Sequence, residues 1–191
     1  MEHLILLTTS RRPTKTIRTF CKDLSCTIPN VLRINRGKLS QEGVAEKALK
    51  LNAEKVIVVD RWKGGPGKIQ LFKISEEGLK LTPPLIYLRG VKLQREFSTM
   101  PRGARIRHLT ILASSNLSNK DILKFENALS EFLNVPLTSI EESPKTHGAL
   151  MHAKAEKQGF MTVTFNLVPD MVEIGPRMEI SRLIWEISHE G

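Results

Sequence analysis

Arg11, Lys15, Arg18 and Lys22 follow one another at the three- and four-residue steps that place side chains on one face of an α-helix, and Ile17, Phe20, Cys21, Leu24 and Ile28 take the opposite face. Arg12 doubles the charge at the start of this stripe, and Arg33, Arg36 and Lys38 carry it past the helix. The first 38 residues hold eight Lys or Arg against Glu2 and Asp23, a local charge of +6. The chemistry such a surface performs is electrostatic: it binds a polyanion, above all nucleic-acid phosphate.

Residue patterns for catalysis are sparse. His147 and His152 stand five apart in a segment with strand character, which puts them on opposite faces, and no carboxylate completes a metal set at ligand spacing. There is no Gly-x-Ser-x-Gly turn. Cys21 and Cys26 fall in the same predicted helix, pointing in different directions, and read as buried thiols. KGGPGK lacks the GK[ST] ending of a nucleotide loop and joins two strands, which argues against an NTPase. It remains either an ordinary glycine-rich turn or a hairpin tip that lays Lys63 and Lys68, with Arg61, along a nucleic-acid backbone. A non-catalytic protein with no metal, no cofactor and no small-molecule substrate is the expectation.

The elements that would position the basic residues follow from periodicity and punctuation. HLILLTTS is a strand, and the turn after it offers the hydroxyls of Thr8, Thr9 and Ser10 with two arginines at the positive end of the next helix. Phosphate binding there stands beside plain capping by Ser10 or Thr14, with Pro13 in the first turn. A strand at Val31 to Ile34, a helix capped by Ser40 that runs to Leu51, and a buried strand from Ala53 to Asp60 come next. This β-α-β-α-β order implies a parallel or mixed sheet. Extended segments are expected at Ile69 to Ile74, Leu79 to Leu81 and Leu85 to Leu88, then an irregular basic connection from Arg89 to Arg107. That connection carries Arg102, Arg105 and Arg107 and serves as an RNA contact, a solvated linker or a protein-docking segment. The remainder supplies a strand at Leu109 to Ala113, a helix at Asn119 to Leu133, and strands at His147 to Ala153, Phe160 to Val168 and Met178 to Ile187.

The chain also repeats itself. A shift of 105 residues lays HLILLTTS onto HLTILASS and brings Lys15 to Lys120, Ile17 to Ile122, Phe20 to Phe125 and Leu24 to Leu129. The copy keeps the apolar positions and drops the cations: Arg11 and Arg12 meet Asn116 and Leu117, Arg18 meets Leu123, and Lys22 meets Asn127. Residues 1–107 carry 22 bases against 9 acids, or +13, and residues 108–191 carry 7 against 11, or −4. A generally basic, soluble protein is the alternative reading, weakened by the acidic second half of the same chain. Apolar runs fall far short of the ~20 residues that span a bilayer and no basic-then-apolar leader is seen, so a cytoplasmic protein without a membrane partner is expected. Aromatic residues make up 5% of the chain and show no base-stacking cluster, which leaves phosphate and shape as the expected basis of binding.

TTSRRPTKTIRTFCKDLSCTIPNVLRINRGK resembles the opening of the Brix domain of ribosome-biogenesis factors, and in particular small archaeal members related to the small-subunit processome protein that binds the guide snoRNA. RWKGGPGKIQLFKI and the closing VEIGPRMEISRLIWEI, with its Gly-Pro-Arg before an alternating strand, extend the resemblance over nearly the whole chain. It implies an α/β fold of two similar halves of mixed β-sheet with covering helices, each half similar to the anticodon-binding domain of class IIa aminoacyl-tRNA synthetases. It further implies a single domain over 1–191, with a basic half at 1–88, a connector at 89–107 and an acidic half at 108–191. The implied work is ribosomal RNA processing and subunit assembly, the partners being ribosomal RNA or its precursor together with ribosome-assembly proteins. A protein-interaction scaffold, or an RNA-modifying enzyme with a site assembled from distant residues, are the alternatives. The long charged extensions of eukaryotic relatives are missing, so contacts made by those tails do not transfer.

Overall fold

The computed structural model describes residues 3–62, 65–99, 104–114, 119–139 and 148–186. The first half runs β1 (Leu4–Thr9), α1 (Lys15–Thr27), β2 (Val31–Arg33), α2 (Gln41–Lys50), β3 (Ala53–Trp62), β4 (Gly65–Ser75) and β5 (Gly78–Lys92). The second runs β6 (Leu109–Leu112), α3 (Lys120–Leu133), β7 (Leu137–Thr138), β8 (Gly148–Ala155), β9 (Met161–Val168), β10 (Val172–Glu173) and β11 (Arg177–Ile184).

These strands form one mixed sheet in the order β2-β1-β3-β4-β5-β11-β9-β8-β6-β7, with β10 paired to β9. β1 lies parallel to β2 and β3, and β6 lies parallel to β7 and β8, whereas β3-β4-β5 and β8-β9-β11 are antiparallel. The halves therefore share one strand order and meet where β5 pairs antiparallel with β11, from Lys92 opposite Arg177 to Leu85 opposite Ile184.

Alternation along the strands sorts side chains onto two faces. Ile5, Leu7, Ile57, Val59 and Leu71 point to the face where α1 and α3 lie, and one core joins them to Ile17, Phe20, Phe125 and Phe132. Leu6, Val56, Val58 and Phe72 point the other way, against Val44 and Ala48 of α2. Both cysteines are buried and unbridged, and burial pushes the Cys21 thiol up to about 12, the nearby Arg33 charge opposing it only in part. Among the described residues no helix is long and apolar enough to cross a membrane.

Three expectations change. The strands expected at Leu79 to Leu81 and Leu85 to Leu88 are one, because β5 continues through Pro83 and Pro84 with its register against β4 shifting between Ile69 and Leu71. That strand extends to Lys92, so Arg89 and Lys92 belong to the seam and not to an irregular linker. Among the described residues the segment after it opens with a 3-10 turn, Gln94–Glu96, and is otherwise irregular. β7 and β10, of two residues each, carry no periodic signal. His147 lies outside the described residues.

The 3-10 turn ties the halves together through polar groups. Gln94 N donates to Asp23 Oδ2 at 2.9 Å, Gln94 Nε2 donates to Thr27 Oγ1 at 2.8 Å, and Thr27 Oγ1 donates to Gly175 O at 3.1 Å. Gly175 sits at φ +65, and a Cβ there would stand 2.5 Å from the Phe97 ring, so the turn before β11 demands glycine twice over. Ile106 N, farther along the connector, donates to Cys26 O at 2.7 Å.

Candidate nucleic-acid interface

From Lys15 onward the α1 stripe forms as its periodicity requires: Ile17, Phe20, Cys21 and Leu24 are buried, while Lys15, Arg18 and Lys22 are exposed; Arg11, expected on the same helical face, precedes the helix, and Ile28 is its C-cap. Thr14 is the N-cap, its Oγ1 accepting from Ile17 N at 3.3 Å, so Pro13 precedes the helix instead of sitting in its first turn. Arg18 Nη1 donates to Pro13 O at 2.9 Å, which folds the guanidinium back toward the helix start. The first turn of α1 holds no acid and begins with Lys15. A cation at the positive end of a helix dipole opposes stability by a few tenths of a kcal/mol, so capping does not account for it.

Ser10 N donates to Val59 O at 2.9 Å and continues the sheet, after which Arg11 and Arg12 stand exposed, Arg12 in the left-handed region at φ 56. Thr8 and Thr9 are buried and Thr8 Oγ1 donates to Ile34 O, so neither hydroxyl faces an incoming phosphate. Ser10 differs: its Oγ is buried without a hydrogen-bond partner.

Arg36 stands in the turn after β2, its Nε donating to Leu39 O at 2.8 Å. Burial, and then the neighbouring Arg11 charge, hold Arg36 below the ordinary arginine value, with partial relief from Asp60 and Glu42. Arg33 Nη1 leans on Asn35 Oδ1 at 3.4 Å, and Lys38 is exposed. At the other end of α1, Lys22 and Arg95 flank Asp23, whose carboxyl is raised by burial against the opposing hydrogen bond from Gln94 and those two charges. Arg105 and Arg107, both exposed, bracket the Ile106 contact with α1, and Arg107 also lines a cleft with Pro29 and Asn30.

Lys63 and Arg102 lie outside the described residues. Of the other eleven candidates, Lys68 alone makes an ion pair among the described residues, to Asp60 at 3.5 Å. The acids of the second half do reach the first, where Lys73 meets Glu131 at 3.1 Å and Arg89 meets Glu179 at 3.5 Å, but they leave the α1 stripe untouched. Lys55 is likewise occupied, its Nζ donating to the α3 carbonyls of Glu131 and Phe132 at 3.0 and 2.7 Å.

Carboxyl ends of β1 and β2 open a crevice of about 820 Å³ between the start of α2 and the β4–β5 hairpin. Helices leave these neighbouring strands toward opposite faces of the sheet, the place where parallel α/β sheets form binding crevices. Ser10, Arg11 and Arg36 line it, and so do Gln41, Gln70 and Lys80, which no local pattern along the chain groups with them. Among the described residues no cluster of three His, Cys, Asp or Glu could hold a metal ion.

No model of a known protein family matches the chain. Curated proteins do: it is 40% identical over 92 residues to a protein of Aeropyrum pernix named "probable Brix domain-containing ribosomal biogenesis protein", a match over 47% of this chain and 50% of that one. A protein of the same name from Sulfurisphaera tokodaii is 33% identical over 125 residues, 65% of each chain. The chain spans about half the length of the first curated relatives it matches. Among solved structures, one named a "probable ribosomal biogenesis protein" from Aeropyrum pernix superposes with a TM-score of 0.76 at 27% identity over 93% of this chain and 95% of that one. Mil, an archaeal Imp4-like protein, shares the fold at a TM-score of 0.66 and 21% identity, over 95% and 99% of the two chains.

Proposed function

We propose, from its similarity to archaeal Brix domain-containing ribosomal biogenesis proteins, that this chain is a non-catalytic RNA-binding factor of ribosome biogenesis, holding pre-ribosomal RNA during processing and subunit assembly. It works in the cytoplasm, with ribosomal RNA and ribosome-assembly proteins as partners. One Brix domain covers 1–191, its basic half, through β5 to Lys92, and the connector that follows carrying the RNA, its acidic half at 108–191 completing the fold. Each half is an analogue of a class IIa synthetase anticodon-binding domain.

The observation that carries this reading is a set of exposed cations on α1 and its flanking turns, Arg11, Arg12, Lys15, Arg18 and Lys22, that make no ion pair among the described residues. Phosphate oxygens complete such a set, and backbone contacts of this kind position RNA without reading its sequence. Arg33, Arg36 and Lys38 extend the track on one side, and Arg105 and Arg107 on the other. Filter binding of a single-stranded pre-ribosomal RNA fragment across a salt series tests it. Affinity should fall steeply, with a log–log slope of about 0.7 per neutralised phosphate. A slope near zero would sink the proposal.

A further inference from the structure

The crevice beside Ser10 has the makings of more than a phosphate track. Two arginines meet at its mouth, Arg36 half-buried and Arg11 exposed, and among the described residues neither has a carboxylate within ion-pair distance. Like charges brought together at a partly desolvated place repel, and an anion between them relieves the repulsion. Ser10 Oγ, buried and unpartnered, is a donor awaiting an acceptor at the same spot. α2 starts on this wall, its Ser40 cap leaving Gln41 at the lip and adding the positive end of a helix dipole.

Acids stand close by, Asp60 and Glu77 lining the crevice and Asp60 and Glu42 offsetting the Arg36 charge in part, but none pairs with either arginine among the described residues. Asp60 accepts from Arg61 N and meets Lys68, Glu42 is hydrogen-bonded to Ser40, and Glu77 stands exposed on the hairpin rim. Behind the anion position the floor changes character, with Val58 and Phe72 buried and Leu81 half-buried below the Gln70 amide. An apolar floor with one amide on its edge suits a flat heterocycle that also needs a hydrogen-bonding partner. At about 820 Å³ the space is ample for one nucleotide.

We propose that this crevice receives one unstacked ribonucleotide of the bound strand, its phosphate held by Ser10, Arg11 and Arg36 and its base laid over Phe72 and Leu81 beside Gln70. The inference rests on the RNA-binding reading and adds a base contact to it, on the face of the sheet opposite α1.

Nuclear magnetic resonance on the ¹⁵N-labelled full chain tests it, with the four ribonucleoside 5′-monophosphates and inorganic phosphate titrated separately in one low-salt buffer. At least one nucleotide should shift the amides of Ser10, Gln41 and Gln70 saturably and bind roughly tenfold or more tighter than phosphate does. Arg36→Gln should weaken that nucleotide roughly tenfold, and Arg11→Gln, at an exposed position, should act the same way if the first variant proves unstable. Gln70→Ala should narrow the gap between nucleotide and phosphate. Equal binding of phosphate and nucleotide would reduce the crevice to an anion site and overturn the proposal, as would amides that stay still into the millimolar range. Filter binding of RNA by the same preparation separates the two readings: retained RNA binding with a silent crevice removes only this one.

Discussion

The leading and trailing halves are built on one plan and finished differently. β1 and β6 begin at Leu4 and Leu109, α1 and α3 begin at Lys15 and Lys120, and both offsets equal 105. Where α1 buries Cys21, α3 buries Glu126, each fully enclosed. Glu126 Oε2 accepts from Ser114 N at 3.0 Å, so the trailing half closes its post-strand loop with a carboxyl group. Each half leaves one buried polar oxygen unpartnered at this place, Glu126 Oε1 in the trailing half and Ser10 Oγ in the leading half, but only the latter lies beside two arginines. α3 also places Asp121 in its first turn, as the dipole favours, where α1 has none. The trailing copy builds the same strand–helix layout without the cations, so the layout does not require them, and their presence on one copy points to a task.

Moving the charge deficit from one half to the other gives the largest expected effect. Replacing Arg11, Arg12, Lys15 and Arg18 together with Ala should flatten the salt slope of RNA binding by about 0.7 for each phosphate no longer neutralised. Replacing Lys120, Lys124, Lys154 and Arg182 should change it little. Comparable flattening from both sets, measured by filter binding, would erase the distinction between the halves.

Where the halves meet, packing replaces charge. Gly175→Ala must force a side chain into the Phe97 ring at a positive φ, and urea unfolding should show a loss of about 2–4 kcal/mol. Gln94→Ala, which frees Thr27 Oγ1 and Gly175 O from a shared donor, should cost about 1–2 kcal/mol. A loss from Gly175→Ala no greater than that of an exposed alanine substitution would mean the Gly-Pro-Arg turn tolerates displacement.

How much of this was legible beforehand depended on the range of the interaction. The two faces of α1 were readable because a 3.6-residue period survives in sequence wherever one side is buried, and the parallel β1, β2 and β3 followed from buried apolar runs. β5 was not, since its prolines mimic a break: pairing to β4 carries the strand past them, Thr82 opposite Leu71 and Ile86 opposite Ile69, and pairing to β11, about 90 residues away, takes over from Leu85 to Lys92. Likewise Arg11 and Arg36 could be named as cations, but Gln70 and Lys80 join them only after the sheet brings β4 and β5 beside β3. Asp23, an acid inside the apolar face of α1, makes sense only once the Gln94 amide is set against it.

Glu126 sharpens the comparison through pH. Burial raises its carboxyl above the ordinary glutamate value, outweighing the hydrogen bond from Ser114. A raised acid means the folded state binds the proton more tightly, so its contribution is fully present below the unfolded value near 4.5 and is lost as pH rises through the folded one. Glu126→Gln keeps the group neutral, and its stability relative to wild type should climb between pH 4 and neutrality. Cys21, pushed up to about 12, should give its half no such dependence over that range. A flat difference between variant and wild type would show the carboxyl to be hydrated.

The smallest effect decides the rival account of the asymmetry, in which a positive half and a negative half exist to attract each other. Lys73–Glu131 and Arg89–Glu179 are the ion pairs that cross between the halves among the described residues, and all four side chains are two-fifths or more exposed. Pairs so solvated contribute less than about 1 kcal/mol and are screened by salt. The antiparallel seam and the common core of α1 and α3 have no such sensitivity. A double-mutant cycle on Lys73→Ala and Glu131→Ala should therefore return a coupling below about 0.5 kcal/mol, and stability should change little between low and moderate salt. A coupling well above that, with stability draining away as salt rises, would give the cations a structural purpose and leave the RNA reading without its main support.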